Sequence, residues 1–333
     1  MTCAASILIG MKPHLAPMQR ILIASTESGP TLLAGGVVVG LVWPWLAEQA
    51  RPAMPCAIFV LVLGTLLRVD PRQIGVTLRQ PSAVAALPML CMVGAPLLVG
   101  GLAHQAGLSQ ELSLALVLAV AAPPSSGNAS IARMLGLDDT LALVATFASM
   151  AITPVTVPLA AALVGGVGVD PLALAWRLAT LIGSAGGLAL LLRRHAAATL
   201  SKQGAAIDAI VLAALLLFAL STMAGIQARI LAGPLEALGC LALAFAVNVG
   251  LQTLGALLPG AAERRASAGL VMGNRNVGLV WSVLGTSVSP LMALYFAATQ
   301  LPIYTLPRLL QFALSRRSAR LSPKKSIQSN GEP

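Results

Sequence analysis

The chain has 333 residues, of which 57% are hydrophobic and 10% charged, with a formal net charge of +10 and a mean hydropathy of +0.87. Soluble domains carry about a quarter of their residues as charges, so this composition excludes an ordinary soluble fold and indicates an all-α membrane protein. The basic excess does not point to nucleic acid: aromatics are 4% of the chain, and the Lys and Arg residues lie between apolar runs, where they act as topology signals.

With about 20 residues needed to cross the hydrocarbon core, ten apolar segments are expected in chain order: 29–48, 52–69, 82–103, 111–135, 139–165, 171–192, 205–226, 233–258, 266–287 and 289–312. A first segment followed by nine of the same kind is read as a span, not as a cleaved signal peptide. Alternating the loops assigns every Lys and Arg except Arg51, Arg177, Arg229 and Arg275 to one side. That asymmetry predicts ten transmembrane helices in a bacterial-type inner membrane, with both termini cytoplasmic. Residues 1–28 are an N-terminal segment, and 313–333 a basic cytoplasmic tail that is polar and disordered beyond Leu321.

Ten spans divide into five and five. A duplicated unit of odd span number must insert upside down relative to its twin, the inverted-repeat plan of many secondary transporters. The repeats are expected at 29–165 and 171–312. Gly127-Asn128 and Gly273-Asn274 fall in the fourth helix of each half, and the chain holds only five asparagines.

Both of those helices are interrupted. In AAPPSSGNAS (residues 121–130), Pro123 and Pro124 remove amide donors, Gly127 adds backbone freedom, and Ser125, Ser126, Asn128 and Ser130 supply polar groups. Unwound backbone at membrane depth is tolerated only inside protein or beside an aqueous cavity, and half-helix ends offer partial charges to ions and substrates. The plainer reading is a proline kink closed by serines. In VMGNRNVGLVW (residues 271–281), Arg275 would cost roughly 2.5–3.5 kcal/mol at the bilayer centre, so it must point into the bundle. No Asp or Glu lies deep in a span. Its expected companions are carbonyls freed by the first break, a water-filled cavity or an anionic ligand.

Other polar residues carry less. Asn248 and Gln252 share a helix face and line the cavity or bond a neighbouring helix, while Thr146, Ser149 and Thr153 share another face. Prolines such as Pro88, Pro96, Pro154 and Pro158 are read as bends. His14, His104 and His195 lie outside the spans, so no general base approaches the membrane serines, and an enzyme is not expected. Cys3, Cys56, Cys91 and Cys240 form no metal-ligand pattern.

The stretch from Ala122 to Pro154 resembles the broken fourth helix and following helix of the bile acid:sodium symporter family, whose pattern is PGGTASN followed by a helix ending in Pro. GNRNVGL, Gly273 to Leu279, resembles that family's GMQNSGL in the ninth helix. The resemblance implies a panel domain and a core domain, with the fourth and ninth helices crossing at their unwound points, and transport by alternating access. It places Ser125, Ser126, Gly127, Asn128, Asn274, Arg275 and Asn276 at a substrate site, with Ser126 and Asn276 touching substrate and Asn128 and Asn274 organising the crossover.

The departures concern sodium. Asn128 and Ala129 occupy the Ser and Asn positions of TASN, Val271 replaces a ligand Glu, Arg275 replaces the Gln of GMQN, and Thr146 keeps one ligand position while Ala142 loses another. A hard cation wants several oxygens, and two unit charges ~4 Å apart repel by ~4 kcal/mol at an effective dielectric near 20. Asn128, Thr146, Val271 and Arg275 therefore read as a degenerate cation site. Arg275 serves either as direct partner of an anion or as a resident substitute for sodium. The expected function is secondary transport of a small organic anion across the lipid bilayer, with no required cofactor and with sodium disfavoured. The alternatives are a sodium-coupled organic anion symporter, an arsenite permease and a non-transporting receptor.

Overall fold

Apolar runs in lipid close their backbone bonds within each segment, and the described residues fold as helices with no strand among them. The computed structural model describes residues 29–68, 85–165 and 168–321. The expected N-terminal segment 1–28 and the polar tail beyond Leu321 lie outside the described residues, as do Arg72 and Arg79 of the second basic loop.

In chain order the helices are α1 (Gly29–Val42), α2 (Pro44–Ala50), α3 (Met54–Arg68), α4 (Leu87–Gln105), α5 (Gln110–Ala121), α6 (Asn128–Met134) and α7 (Asp139–Val164). They continue as α8 (Pro171–Lys202), α9 (Gly204–Ser221), α10 (Ile226–Ala232), α11 (Pro234–Ala256), α12 (Ala262–Gly273), α13 (Val277–Leu284) and α14 (Pro290–Leu321). Six apolar helical stretches are long enough to cross a membrane: Pro44–Leu67, Leu87–Gln105, Asp139–Val164, Pro171–Ala197, Ala206–Ala232 and Pro234–Ala256. This is a multi-pass membrane protein.

The starts and stops follow local chemistry. Ser109, Asp138, Asn276 and Ser289 each accept a backbone N–H from the first turn of the helix they precede, the usual N-cap arrangement. Gly165 ends α7 in the left-handed region at φ 71°, which glycine adopts without steric cost. The first expected span, 29–48, is two helices. Trp43, at φ −118° and ψ 75°, leaves the helical region before Pro44, as a residue preceding proline tends to do.

Helix C-termini are met by arginines from other elements. Arg193 donates to the carbonyls of Leu66 and Leu67 at the end of α3, Arg177 to Val283 near the end of α13, and Arg265 to Ala256 at the end of α11. Orphan carbonyls and the negative end of the helix dipole favour a cation there.

The core lies around α5, α7, α12 and α13. Nine residues of α5 are buried, from Ser113 to Ala121; so are Ser267 through Gly273 at the end of α12. Helices α11 and α12 approach closely at glycines. A Cβ on Gly269 would meet the Gln252 carbonyl oxygen at 2.6 Å, and one on Gly255 would meet that of Ala268 at 2.6 Å. Without a hydrophobic force between helices in lipid, such small-residue contact is how membrane helices gain packing energy.

Candidate functional site

The two interrupted segments meet. Helix α5 stops at Ala121, and Ala122 turns to extended backbone at φ −58° and ψ 144°. Helix α12 stops at Gly273, and Asn274 is extended at φ −88° and ψ 103°. Between these ends Pro124 and Arg275 form an isolated antiparallel β-bridge. Ser125 N donates to Asn274 O at 2.8 Å, and Asn276 N donates to Pro123 O at 2.7 Å. Backbone from two distant stretches thus satisfies donors that neither helix could.

Proline chemistry decides which groups remain. Pro123 and Pro124 have no N–H, so the carbonyls of Ala119 and Val120 receive no bond from the fourth residue onward, and Ser125 N is already committed to Asn274. The C-terminal end of α5 is therefore rich in acceptors. Arg275 answers part of this surplus: its Nη1 donates to Ala122 O at 3.4 Å and its Nη2 to Cys91 O at 3.1 Å.

The Cys91 carbonyl is free for the same reason. Leu90–Gly94 is a π-helical turn in which Ala95 N donates to Leu90 O. In that register Cys91 O faces residue 96, a proline without a donor. Pro96, read from sequence as a simple bend, thereby creates one of the two seats of the guanidinium. The Cys91 thiol also lies here, donating to Met272 Sδ at 3.3 Å.

Arg275 is 4% exposed. Both its bonds go to carbonyls, and no carboxylate pairs with it among the described residues. Its Nε is buried and meets no acceptor in the protein. Beside it is a cavity of about 20 Å³, bounded by Asn248, Tyr295 and Thr299 among others, which is room for one water.

Asn128 and Asn274 are fully buried. Asn128 Nδ2 donates to Asn274 O at 3.2 Å, joining the first turn of α6 to the second break. Asn128 Oδ1 and both polar side-chain atoms of Asn274 meet no partner within the protein. Buried polar groups are nearly always hydrogen-bonded, so this cluster holds polar capacity that internal bonding leaves unused.

Ser125, Ser126 and Asn276 are half-buried, and Gly127 is exposed. Asn276 caps α13, its side-chain oxygen accepting from Leu279 N at 3.3 Å. The structure therefore joins Asn128, Asn274, Arg275 and Asn276 with the Pro123–Ser125 backbone, and leaves Ser126 and Gly127 at the open edge. Val271 is fully buried one turn before the break. Thr146 is buried on α7, and its hydroxyl donates to Ala142 O at 2.7 Å within its own helix.

Sequence reasoning missed Cys91, whose only signal is the proline five residues later. It left Asn248 and Gln252 between two roles. Asn248 Nδ2 donates to Gly273 O at 2.9 Å, and Gln252 Nε2 to Asn248 Oδ1 at 2.6 Å, so the pair serves the end of α12. Compared with known proteins, the chain matches no family model and no curated protein.

Proposed function

We propose that this protein is a secondary transporter of a small organic anion, working by alternating access, with ten transmembrane helices in two inverted five-helix repeats and both termini cytoplasmic. The resemblance to bile acid:sodium symporters in two short motifs supports this reading, and the antiparallel meeting of two broken helices is consistent with it. The observation that carries it is the buried guanidinium of Arg275 at that meeting, bonded to carbonyls of Ala122 and Cys91. Carbonyl oxygens at a helix break are what a transported or coupling cation would use. Here a covalently attached charge occupies them.

In this mechanism Arg275 is a resident cation and not the primary ligand of the anion, because its η nitrogens are committed to main-chain oxygens. It offsets the acceptor surplus of α5 permanently, so the crossover needs no sodium to be stable. Asn276 and Ser126, half-buried at the edge of the crossing, contact the substrate, while Asn128 and Asn274 hold the two breaks in register. Uptake of labelled organic acids into proteoliposomes, with sodium replaced by choline, tests this. Equal rates in both media are expected, and a strict sodium requirement would overturn the role given to Arg275.

A second reading, an arsenite permease, draws on the Cys91 thiol lying against Met272 at the crossing. Resistance to arsenite conferred on a sensitised host, and lost in Cys91→Ser, would establish it in place of organic anion transport.

A further inference from the structure

A second cavity, of about 410 Å³, lies away from the crossover, between the Arg51–Met54 junction, α10, the first turn of α14 and Trp281 of α13. Its wall includes Arg51, Arg229, Ser221 and Ser289. The charge is notable for its scarcity: by loop alternation only Arg51, Arg177 and Arg229 lie opposite the basic side, and two of these three share this cavity.

Of the two guanidiniums, one is paired with a carboxylate. Arg229 Nη2 meets Glu236 Oε2 at 2.9 Å, with both side chains about two-fifths exposed, and an ion pair so open to solvent holds weakly. The Nε of Arg229 is buried without an acceptor, and Arg51 pairs with no carboxylate among the described residues. The positive end of the 32-residue helix α14 adds to this field, with Ser289 Oγ accepting from Met292 N at 3.2 Å. The remaining wall is apolar, with Met54 and the ring of Trp281, which is 8% exposed and tilted against Phe296.

We propose that this cavity binds the carboxylate of a small organic anion with a compact apolar body, as an outer station before the crossover. The volume is in the range of small-molecule sites. Trp281 stands five residues after Asn276, about 8 Å along α13 by helical rise, so one half-helix connects the station to the crossing. The outer station rests on the transport reading only for its role. The binding site itself does not.

The test uses the full-length protein with Trp43, Trp45 and Trp176 changed to Phe, leaving Trp281 as the only tryptophan of four. Iodide, an anionic quencher, and acrylamide, a neutral one, are compared at constant ionic strength, with benzoate and its uncharged isostere benzamide as competitors. A positive cavity concentrates anions. Iodide quenching is expected to fall about threefold or more in Arg51→Gln/Arg229→Gln, with acrylamide quenching unchanged, and benzoate but not benzamide is expected to protect Trp281. The Arg51→Lys/Arg229→Lys protein keeps the charge and should keep iodide quenching. Equal iodide quenching in the Gln and Lys proteins, or equal protection by benzoate and benzamide, overturns the site. Failure of benzoate to enter proteoliposomes while it still protects Trp281 counts against transport and not against binding.

Discussion

The two breaks do the same topological work with opposite chemistry. The first, from Ala122 to Gly127, is made by two adjacent prolines and leaves α5 with carbonyls that no following amide can reach. The second, from Asn274 to Asn276, contains no proline. One backbone N–H and a guanidinium are sent across to the first break, where Asn276 N finds Pro123 O and Arg275 finds Ala122 O. The backbone exchange is reciprocal, since Ser125 N donates back to Asn274 O, and the guanidinium is the donor that only the second break brings. Each break leaves polar backbone that apolar surroundings do not satisfy, and in the fold the two stretches of chain meet.

That complementarity can be broken from the donor side with the largest effect. Arg275→Met leaves the Ala122 and Cys91 carbonyls buried without donors, at about 1–3 kcal/mol each, so unfolding by heat in detergent should shift down by the equivalent of about 2–6 kcal/mol, with uptake lost. A rise in stability would mean instead that desolvating the guanidinium outweighs its two bonds. Packing behind the second break comes next. Gly269→Ala forces a methyl to within 2.6 Å of the Gln252 carbonyl, and overpacking of that kind costs about 1–3 kcal/mol, readable in the same thermal assay.

The resident-cation reading sharpens if the charge is exchanged. In Val271→Glu/Arg275→Gln, sodium is expected to raise the unfolding temperature, by the equivalent of about 1.4 kcal/mol at tenfold above its dissociation constant. The natural chain should not respond. Asn128→Ala removes the side-chain bond to Asn274 O and should cost about 1 kcal/mol, with a lower uptake rate if register between the breaks governs turnover. Smallest of all is Thr146→Val. Its hydroxyl bonds only Ala142 in the same helix, so stability should change by no more than about 0.5 kcal/mol; a large loss of uptake would show that α7 reaches the substrate.

Much of this is legible in the order of the amino acids. Pro123-Pro124 and the GNRN run marked both interruptions, and the charge of Arg275 in an apolar stretch required a polar interior. The helix N-caps at Ser109, Asp138 and Asn276 are of residue types that suit that position, but only the fold assigned them. Less legible was the first span, where Pro44 divides a run that hydropathy treats as continuous. The seat of Arg275 on Cys91 was hidden altogether, because it depends on a π-turn register that deprives one carbonyl of its donor only when Pro96 stands five residues on.

Taken by itself, the amino-acid order determined that the chain forms apolar helices suited to a membrane, where two helical runs are interrupted, and that a guanidinium is buried. These are properties of local hydropathy and of which residues lack an amide proton. Tertiary structure alone decided which oxygens receive that guanidinium, and that Asn248 serves the end of α12. It also decided that Arg51 and Arg229, far apart in the chain, line one cavity. Hydrogen-bond partners depend on where helices cross, and a crossing is set by side chains from several segments at once.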